Sequence, residues 1–222
     1  MHEFDRKENE IKLGRLGNLF ILLVLPTILL LLAFILDTPN RIAHGLYDII
    51  IAPDILLTDY LEVGGIGATF VNASILAFIN ILIIYKLKLK INGALIAATF
   101  AIIGFSFLGK NIYSVWPMYI GGYLYKKYQG IEFKNILVII MFSTCLAPTV
   151  SEISFGDHMP VMFGIPLGIA FGIFCGFIIT PLSSHMNKVH DGYNLYNIGF
   201  TAGLLGTLIN SLLKSFGINI KQ

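Results

Sequence analysis

The chain has 222 residues, of which 56% are hydrophobic and 13% are charged. So few charges cannot solvate a globule of this size, which excludes an ordinary soluble domain and indicates a membrane protein. The formal net charge is only +2, and the Lys and Arg residues are dispersed between apolar segments, so no nucleic-acid-binding surface is expected. Both cysteines, Cys145 and Cys175, lie inside apolar segments, where cysteine is ordinarily a small buried hydrophobe.

Residues 1–15 are polar and predict a cytoplasmic tail, whereas residues 16–222 predict a single transmembrane domain. The first apolar segment, residues 16–36, is long enough to cross a hydrocarbon core about 30 Å thick. It is too long for a signal peptide and is expected to persist as a helix kinked at Pro26. By the positive-inside rule, the basic residues before it place the N-terminus in the cytoplasm: Arg6, Lys7, Lys12 and Arg15.

Residues 37–62 predict an outer loop, because acidic residues outnumber the single arginine in it. Its apolar part, residues 42–57, is interrupted by Asp48, Pro53 and Asp54 and is expected to lie along the membrane interface without crossing. Residues 64–85 predict the second span, which returns to a cytoplasmic cluster of lysines. Asn72 and Asn80 lie on nearly the same face of this span.

Residues 91–125 predict a hairpin that enters and leaves the membrane on the same side, because lysines flank both ends. Lys110 and Asn111 separate its two apolar pieces, and the second piece is expected to break around Pro117. Broken helices at membrane depth are tolerated only in protein or beside a water-filled cavity, and often mark the substrate site of a transporter. The alternative is two ordinary short helices, with Lys110 snorkelling to the opposite interface.

Three further spans are predicted at residues 135–151, 161–183 and 192–213, with Glu152 in the outer loop between the first two. Glycines spaced four apart create a groove in which helices pack closely in lipid, and the last span has the same glycine spacing. Asn194 and Asn197 stand at the mouth of the last span, where they either bond a neighbouring helix or line a solute path. The predicted packing glycines are Gly164, Gly168, Gly172, Gly176, Gly199 and Gly203.

The segments together predict an all-α, polytopic bundle with about six apolar segments, including a re-entrant or broken-helix hairpin. A shift of 130 residues lays FVNASILAFINIL over FTAGLLGTLINSL, matching Phe70 with Phe200 and Asn80 with Asn210. The two copies cross in opposite directions in this topology, which suggests an inverted repeat of the kind found in transporters.

Four stretches carry a resemblance to a known family: GGIGATFVNASIL, KINGALIAATFAIIGFSFLGKN, GIPLGIAFGIFCGFI and HDGYNLYNIGFTAGLLG. They resemble the bacterial multi-pass membrane proteins grouped as domain of unknown function 1576. The resemblance implies a polytopic inner-membrane protein and supplies no catalytic residues. It also implies one half or a short form of a longer family member, so a homo-oligomer or a second half is expected as partner, besides the lipid bilayer.

The function favoured by these patterns is a transporter or channel for a small polar or anionic solute. The alternative is a non-transporting membrane subunit that binds a ligand or partner within a larger complex. No hydrolase or metalloprotease motif is found, so no enzymatic activity, metal or cofactor is expected. The candidates for the substrate path are Asn72, Asn92, Lys110, Asn111, Asn194 and Asn197.

Overall fold

The computed structural model describes residues 2–54, 58–157, 159–189 and 197–215, with their side chains except at residues 2–16, 18, 187–189, 197, 209–210 and 213–214. The prediction of an all-α fold is confirmed, since these ranges form helices and no strand. The helices are α1 (His2–Leu36), α2 (Pro39–Ile51), α3 (Tyr60–Lys86), α4 (Gly93–Phe105), α5 (Ile112–Gln129), α6 (Leu137–Ser143), α7 (Ala147–Phe155), α8 (Val161–Val189) and α9 (Asn197–Ser215).

Four described segments are long and apolar enough to cross a membrane: Leu19–Leu36, Tyr60–Lys86, Leu137–Phe155 and Val161–Met186. They correspond to the predicted spans 16–36, 64–85, 135–151 and 161–183. The start of the predicted span 192–213 lies outside the described residues, and its described part is α9. The apolar core between the helices is formed chiefly by Leu22, Ile84, Ile102, Met118, Ile140 and Ile179.

The first turn of α3 is a separate piece folded back against the rest of the helix. Gly65 has φ +80° and ψ 169°, which interrupts the helical backbone and is a conformation that glycine adopts without a steric penalty. Thr69 Oγ1 lies 2.8 Å from each of the carbonyl oxygens of Tyr60 and Gly65, which share its single hydrogen. Asp37 Oδ2 accepts a hydrogen bond from Gly67 N at 3.1 Å, which joins the end of α1 to the restarted helix. The break places Tyr60 beside the following turns of α3.

Helix α2 packs across this broken start of α3. It has 13 residues and is therefore about 20 Å long, shorter than a hydrocarbon core. Ile49 is fully buried against Tyr60 and Ala68. The end of α2 therefore packs against the first turn of α3.

The segment predicted as one span at residues 135–151 is two helices, α6 and α7, joined by a 3-10 turn at Thr144–Leu146. Proline is well tolerated in the first turn of a helix, where its missing N–H has no helical partner. Pro148 accordingly lies in the first turn of α7. The prediction that Glu152 lies in an outer loop is wrong, because Glu152 is buried in α7. The predicted break at Pro117 is also absent, since α5 is continuous.

The glycines of α8 face α7 and α5. A Cβ atom added to Gly164 would lie 2.6 Å from Ser154 O, and one added to Gly172 would lie 2.6 Å from Pro117 Cβ. Gly168 likewise faces Ser154, and Gly176 faces the backbone of Met118. These four positions therefore bring α8 into close contact with its neighbours.

The two predicted packing glycines of α9 differ from those of α8. Gly199 and Gly203 are exposed, and a Cβ atom at Gly203 would meet nothing within 4 Å. Among the described residues no helix covers Gly203, and packing of Gly199 and Gly203 against a neighbouring helix stays a prediction. Four-residue spacing creates a smooth helix face, but whether that face is covered depends on the neighbouring elements.

Candidate functional site

The loop between α4 and α5, residues 106–111, is fixed to α3. The amide of Asn72 donates to Ser106 O and to Lys110 O, both at 2.9 Å. Tyr60 N donates to Phe107 O at 3.0 Å. Both amide hydrogens of Asn72 are thus used to hold the 106–111 loop, so this residue positions Lys110 and is not free to face a solute.

Lys110 is enclosed by the protein, with 2% of its surface exposed. Its Nζ lies 5.1 Å from the centroid of the Phe105 ring. Among the described residues the ammonium has no ion pair. A buried cation without a counter-ion is costly, and this enclosed position does not favour the snorkelling alternative.

Asn111 ends the loop and caps two helices at once. Its Oδ1 accepts from Ser114 N at 2.9 Å, and Ser114 Oγ accepts from Asn111 N at 3.2 Å, which forms a capping box at the start of α5. Its Nδ2 donates to Ile49 O, near the C-terminal end of α2, at 3.1 Å. The same amide donates to Tyr60 Oη at 2.9 Å and lies 3.4 Å from Ser151 Oγ. Asn111 therefore connects α2, α3, α5 and α7.

Asp54, which precedes α3, completes this polar cluster. It is 2% exposed, and its Oδ2 accepts from Tyr60 Oη at 2.7 Å and lies 3.4 Å from Asn111 Nδ2. Within the described ranges, Oδ1 has no hydrogen-bond partner. Burial raises the pKa of Asp54 to about 7, aided by the negative charge of Glu152 and opposed by hydrogen bonds from Tyr60, Ser151 and Thr58. The sequence predicts Asp54 to be an acid of the outer loop, and the apolar residues around it are the one sign in the sequence that it could be buried.

One predicted path residue lies away from this cluster, and two others are not described. Asn92 Oδ1 accepts from Leu95 N at 3.0 Å and caps α4 at the end opposite the 106–111 loop. Helix α4 has 13 residues, so Asn92 lies about 20 Å from that loop. Asn194 is outside the described residues, and so is the side chain of Asn197, the first residue of α9. The structure thus brings together Asn72, Lys110 and Asn111.

The cluster offers carboxylate, hydroxyl and amide groups in a protein interior. In the described part of the chain, no group of three or more His, Cys, Asp or Glu residues could hold a metal ion. The groups present can bind and release protons, or exchange hydrogen bonds with a polar solute.

The helices and their apolar surfaces define an all-helical protein with four segments able to cross a membrane. The family model for the protein of unknown function DUF1576 matches residues 38–215. This covers most of the chain, and the chain belongs to that family. No curated protein and no solved structure matches the chain.

Proposed function

We propose that the chain is a polytopic protein of the bacterial inner membrane, with its N-terminus in the cytoplasm. The support is the apolar surface that the fold leaves uncovered, since large exposed apolar patches are rare on soluble monomers. Only 28% of the Leu19–Leu36 window and 33% of the Val161–Met186 window are buried inside the protein. Large exposed side chains on α1 and α8 include Phe20, Ile21, Phe34, Ile35, Met162 and Phe163. In a bilayer these side chains face lipid.

Within the membrane, the proposed activity is transport of a small anionic or polar solute past the 106–111 loop. The observation that carries this proposal is the buried Lys110, whose charge has no carboxylate partner in the described part of the chain. An anionic group beside Lys110 would supply the missing negative charge. Ionisable residues enclosed between membrane helices are commonly found on substrate or ion pathways. No chemical transformation of the solute is proposed.

Lys110→Met is expected to reduce solute flux while preserving the fold. Each loss of ~1.4 kcal/mol of solute stabilisation lowers binding tenfold, so flux at subsaturating solute should fall about tenfold or more. The thermal midpoint should stay or rise, because an unpaired buried charge is removed. The measurement is flux into liposomes containing the purified full chain, with chloride, acetate, inorganic phosphate and uncharged glycerol as separate probes.

Lys126→Met is the matched control, because Lys126 lies at the far end of α5 with its Nζ 5.1 Å from the Tyr123 ring centroid. It should leave flux unchanged. Equal losses of flux and folded protein in Lys110→Met would assign Lys110 a structural role. Absence of flux for every probe would favour the alternative, a membrane subunit that binds a partner.

The hairpin formed by α4 and α5 is proposed to re-enter on the cytoplasmic side. Helix α4 has 13 residues and spans about 20 Å, which is less than the roughly 30 Å of a hydrocarbon core. In a chain with both native cysteines replaced, Tyr128→Cys should react with a membrane-impermeant maleimide from the cytoplasmic side only. Leu108→Cys, at the hairpin tip, should not react from the outer side. Reaction of Leu108→Cys from outside would show two crossings.

A further inference from the structure

Asp54 lies where four segments of the chain meet, and each supplies a neighbour. Ile49 O, near the end of α2, and Asp54 Oδ2 both lie within reach of the Asn111 amide at the start of α5. Tyr60 comes from the first turn of α3, and α7 contributes Ser151, whose Oγ also lies near that amide. A side chain enclosed on so many sides cannot obtain hydrogen bonds from bulk water.

The two oxygens of Asp54 are not equivalent. Oδ2 accepts from Tyr60 Oη at 2.7 Å, whereas no donor among the described residues is placed to hydrogen-bond the buried Oδ1. The hydroxyls of Ser151 and Thr58 act on the carboxylate less than that of Tyr60 does. Nor does Asp54 form an ion pair within those ranges. A buried carboxylate with one unsatisfied oxygen and no cation is a costly arrangement. A proton on Oδ1 removes the net charge without disturbing the bond from Tyr60.

Two titratable groups of the surrounding helices act on Asp54: Glu152 of α7 and Tyr60 of α3. The negative charge of Glu152 favours the neutral form of Asp54, and the hydroxyl of Tyr60 favours the charged form. The Lys110 ammonium is directed at the Phe105 ring and does not act on Asp54 in the structure. The neighbours from α5 and the end of α2 are an amide and a backbone carbonyl, which do not titrate.

We propose that the Asp54 carboxylate is a proton-binding site, with the proton added to Oδ1 and the group changing from charge −1 to neutral. The ligand is a proton and not a metal cation, because Tyr60 directs its hydroxyl hydrogen at this carboxylate, and the Asn111 group nearest to it is an NH2, which cannot ligate a metal. Hydrogen-bond donors of this kind repel a metal ion and are compatible with either protonation state of an acid.

The site adjoins the loop that carries Lys110. A Cβ atom at Gly109 would lie 3.8 Å from Asp54 Cβ, and Asn111 contacts Asp54 directly. Asp54 therefore contacts Asn111 and lies beside Gly109, the residues on the two sides of Lys110. Protonation of Asp54 changes the charge beside this loop, and in the proposed transport it supplies the driving ion. That role rests on the proposed function, whereas the proton site itself does not.

The site is tested at equilibrium, without solute, on the purified full chain in detergent. Infrared difference spectra between pH 8 and pH 5 should show a protonated-carboxyl stretch that Asp54→Asn loses. Asp48→Asn, an exposed acid on α2, should retain it. The carboxyl pKa rises from 3.8 to about 7 on folding, so the stability contribution is complete at low pH and is lost as pH rises through about 7. The thermal midpoint of wild type should fall over that window, and that of Asp54→Asn should not.

Tyr60→Phe keeps the packing and removes the hydroxyl that favours the charged carboxylate, so the infrared midpoint should move to higher pH. If Asp54→Asn fails to fold, Tyr60→Phe alone tests whether Asp54 binds the proton. A carboxyl band that persists in Asp54→Asn, or a midpoint unmoved by Tyr60→Phe, would overturn the proposal. So would stabilisation by NaCl over choline chloride that Asp54→Asn abolishes, since it would identify a metal cation as the ligand.

Transport is measured separately. With inorganic phosphate, acetate or chloride as probe, an inward proton gradient should accelerate flux in wild type and have no effect in Asp54→Asn. If no probe is transported while the Asp54 band titrates, the proposed function fails and the proton site stands. If flux is seen without an Asp54 band, the proton site fails and the proposed function stands.

Discussion

Gly176→Leu is expected to yield almost no folded protein. A Cβ atom at this position would overlap the carbonyl of Met118 in α5, and backbone cannot move aside as a flexible side chain can. The contact is reciprocal, because a Cβ atom at Gly121 of α5 would lie 2.7 Å from Phe177 N of α8. Overpacking in cores costs roughly 1–3 kcal/mol where side chains can adjust, and more where they cannot. The measurement is the monodisperse fraction in detergent chromatography, together with the thermal midpoint.

Gly104→Leu is the matched control for this prediction. Gly104 is also a helical glycine, on α4, but a Cβ atom there would meet nothing within 4 Å. Leucine has the better helix propensity, so Gly104→Leu should fold as well as wild type. A Gly176→Leu chain with a normal elution profile and thermal midpoint would show that α5 and α8 do not approach as closely as the structure places them.

The glycine pattern shows which part of the helix packing can be predicted from the sequence. Four-residue spacing in α8 indicates a smooth face, because that follows from helical geometry alone. The partner surface could not be deduced. Gly121 lies in the piece that was expected to break around Pro117, yet it is a residue against which α8 packs. The same spacing in α9 leaves Gly203 uncovered, because the outcome depends on long-range packing.

The polar cluster was partly predictable for a related reason. Lys110 and Asn111 interrupt an apolar region, so their residue types alone mark them as unusual. Asp54 and Glu152 were both placed in outer loops, since acids near a predicted segment end are normally solvated. Their burial follows from the fold-back of α3 at Gly65 and from the start of α7 near Pro148. Neither feature produces a periodic pattern from which it could be predicted.

Asn92 and Asn111 illustrate how identical local patterns can differ in function. Each asparagine precedes a helix and caps it with its side-chain oxygen, from Leu95 N in one case and Ser114 N in the other. The sequence therefore treats them alike, and both were candidates for a solute path. Only the amide of Asn111 also reaches residues far along the chain: Ile49, Asp54, Tyr60 and Ser151.

Asn111→Ala is consequently expected to destabilise the protein much more than Asn92→Ala. Losing an N-cap costs typically about 1 kcal/mol, and this applies to both variants. Asn111→Ala also removes the donor to Ile49 O, and an unsatisfied buried polar group adds roughly 1–3 kcal/mol. The total for Asn111→Ala is therefore about 2–4 kcal/mol, against about 1 kcal/mol for Asn92→Ala. Unfolding of both purified variants by denaturant in the same detergent measures the difference.

The location of the damage gives a second test of the same prediction. Because Asn111 joins the end of α2 to the start of α5, its loss should accelerate amide hydrogen exchange at residues 49–51 and at residues 112–115 together. Asn92→Ala should affect only the first turn of α4. Equal destabilisation by the two alanines, or exchange confined to α5 in Asn111→Ala, would mean that the amide contributes nothing beyond its cap. A loss shared by α2 and α5 would establish Asn111 as the residue that holds the Lys110 loop against the Asp54 cluster.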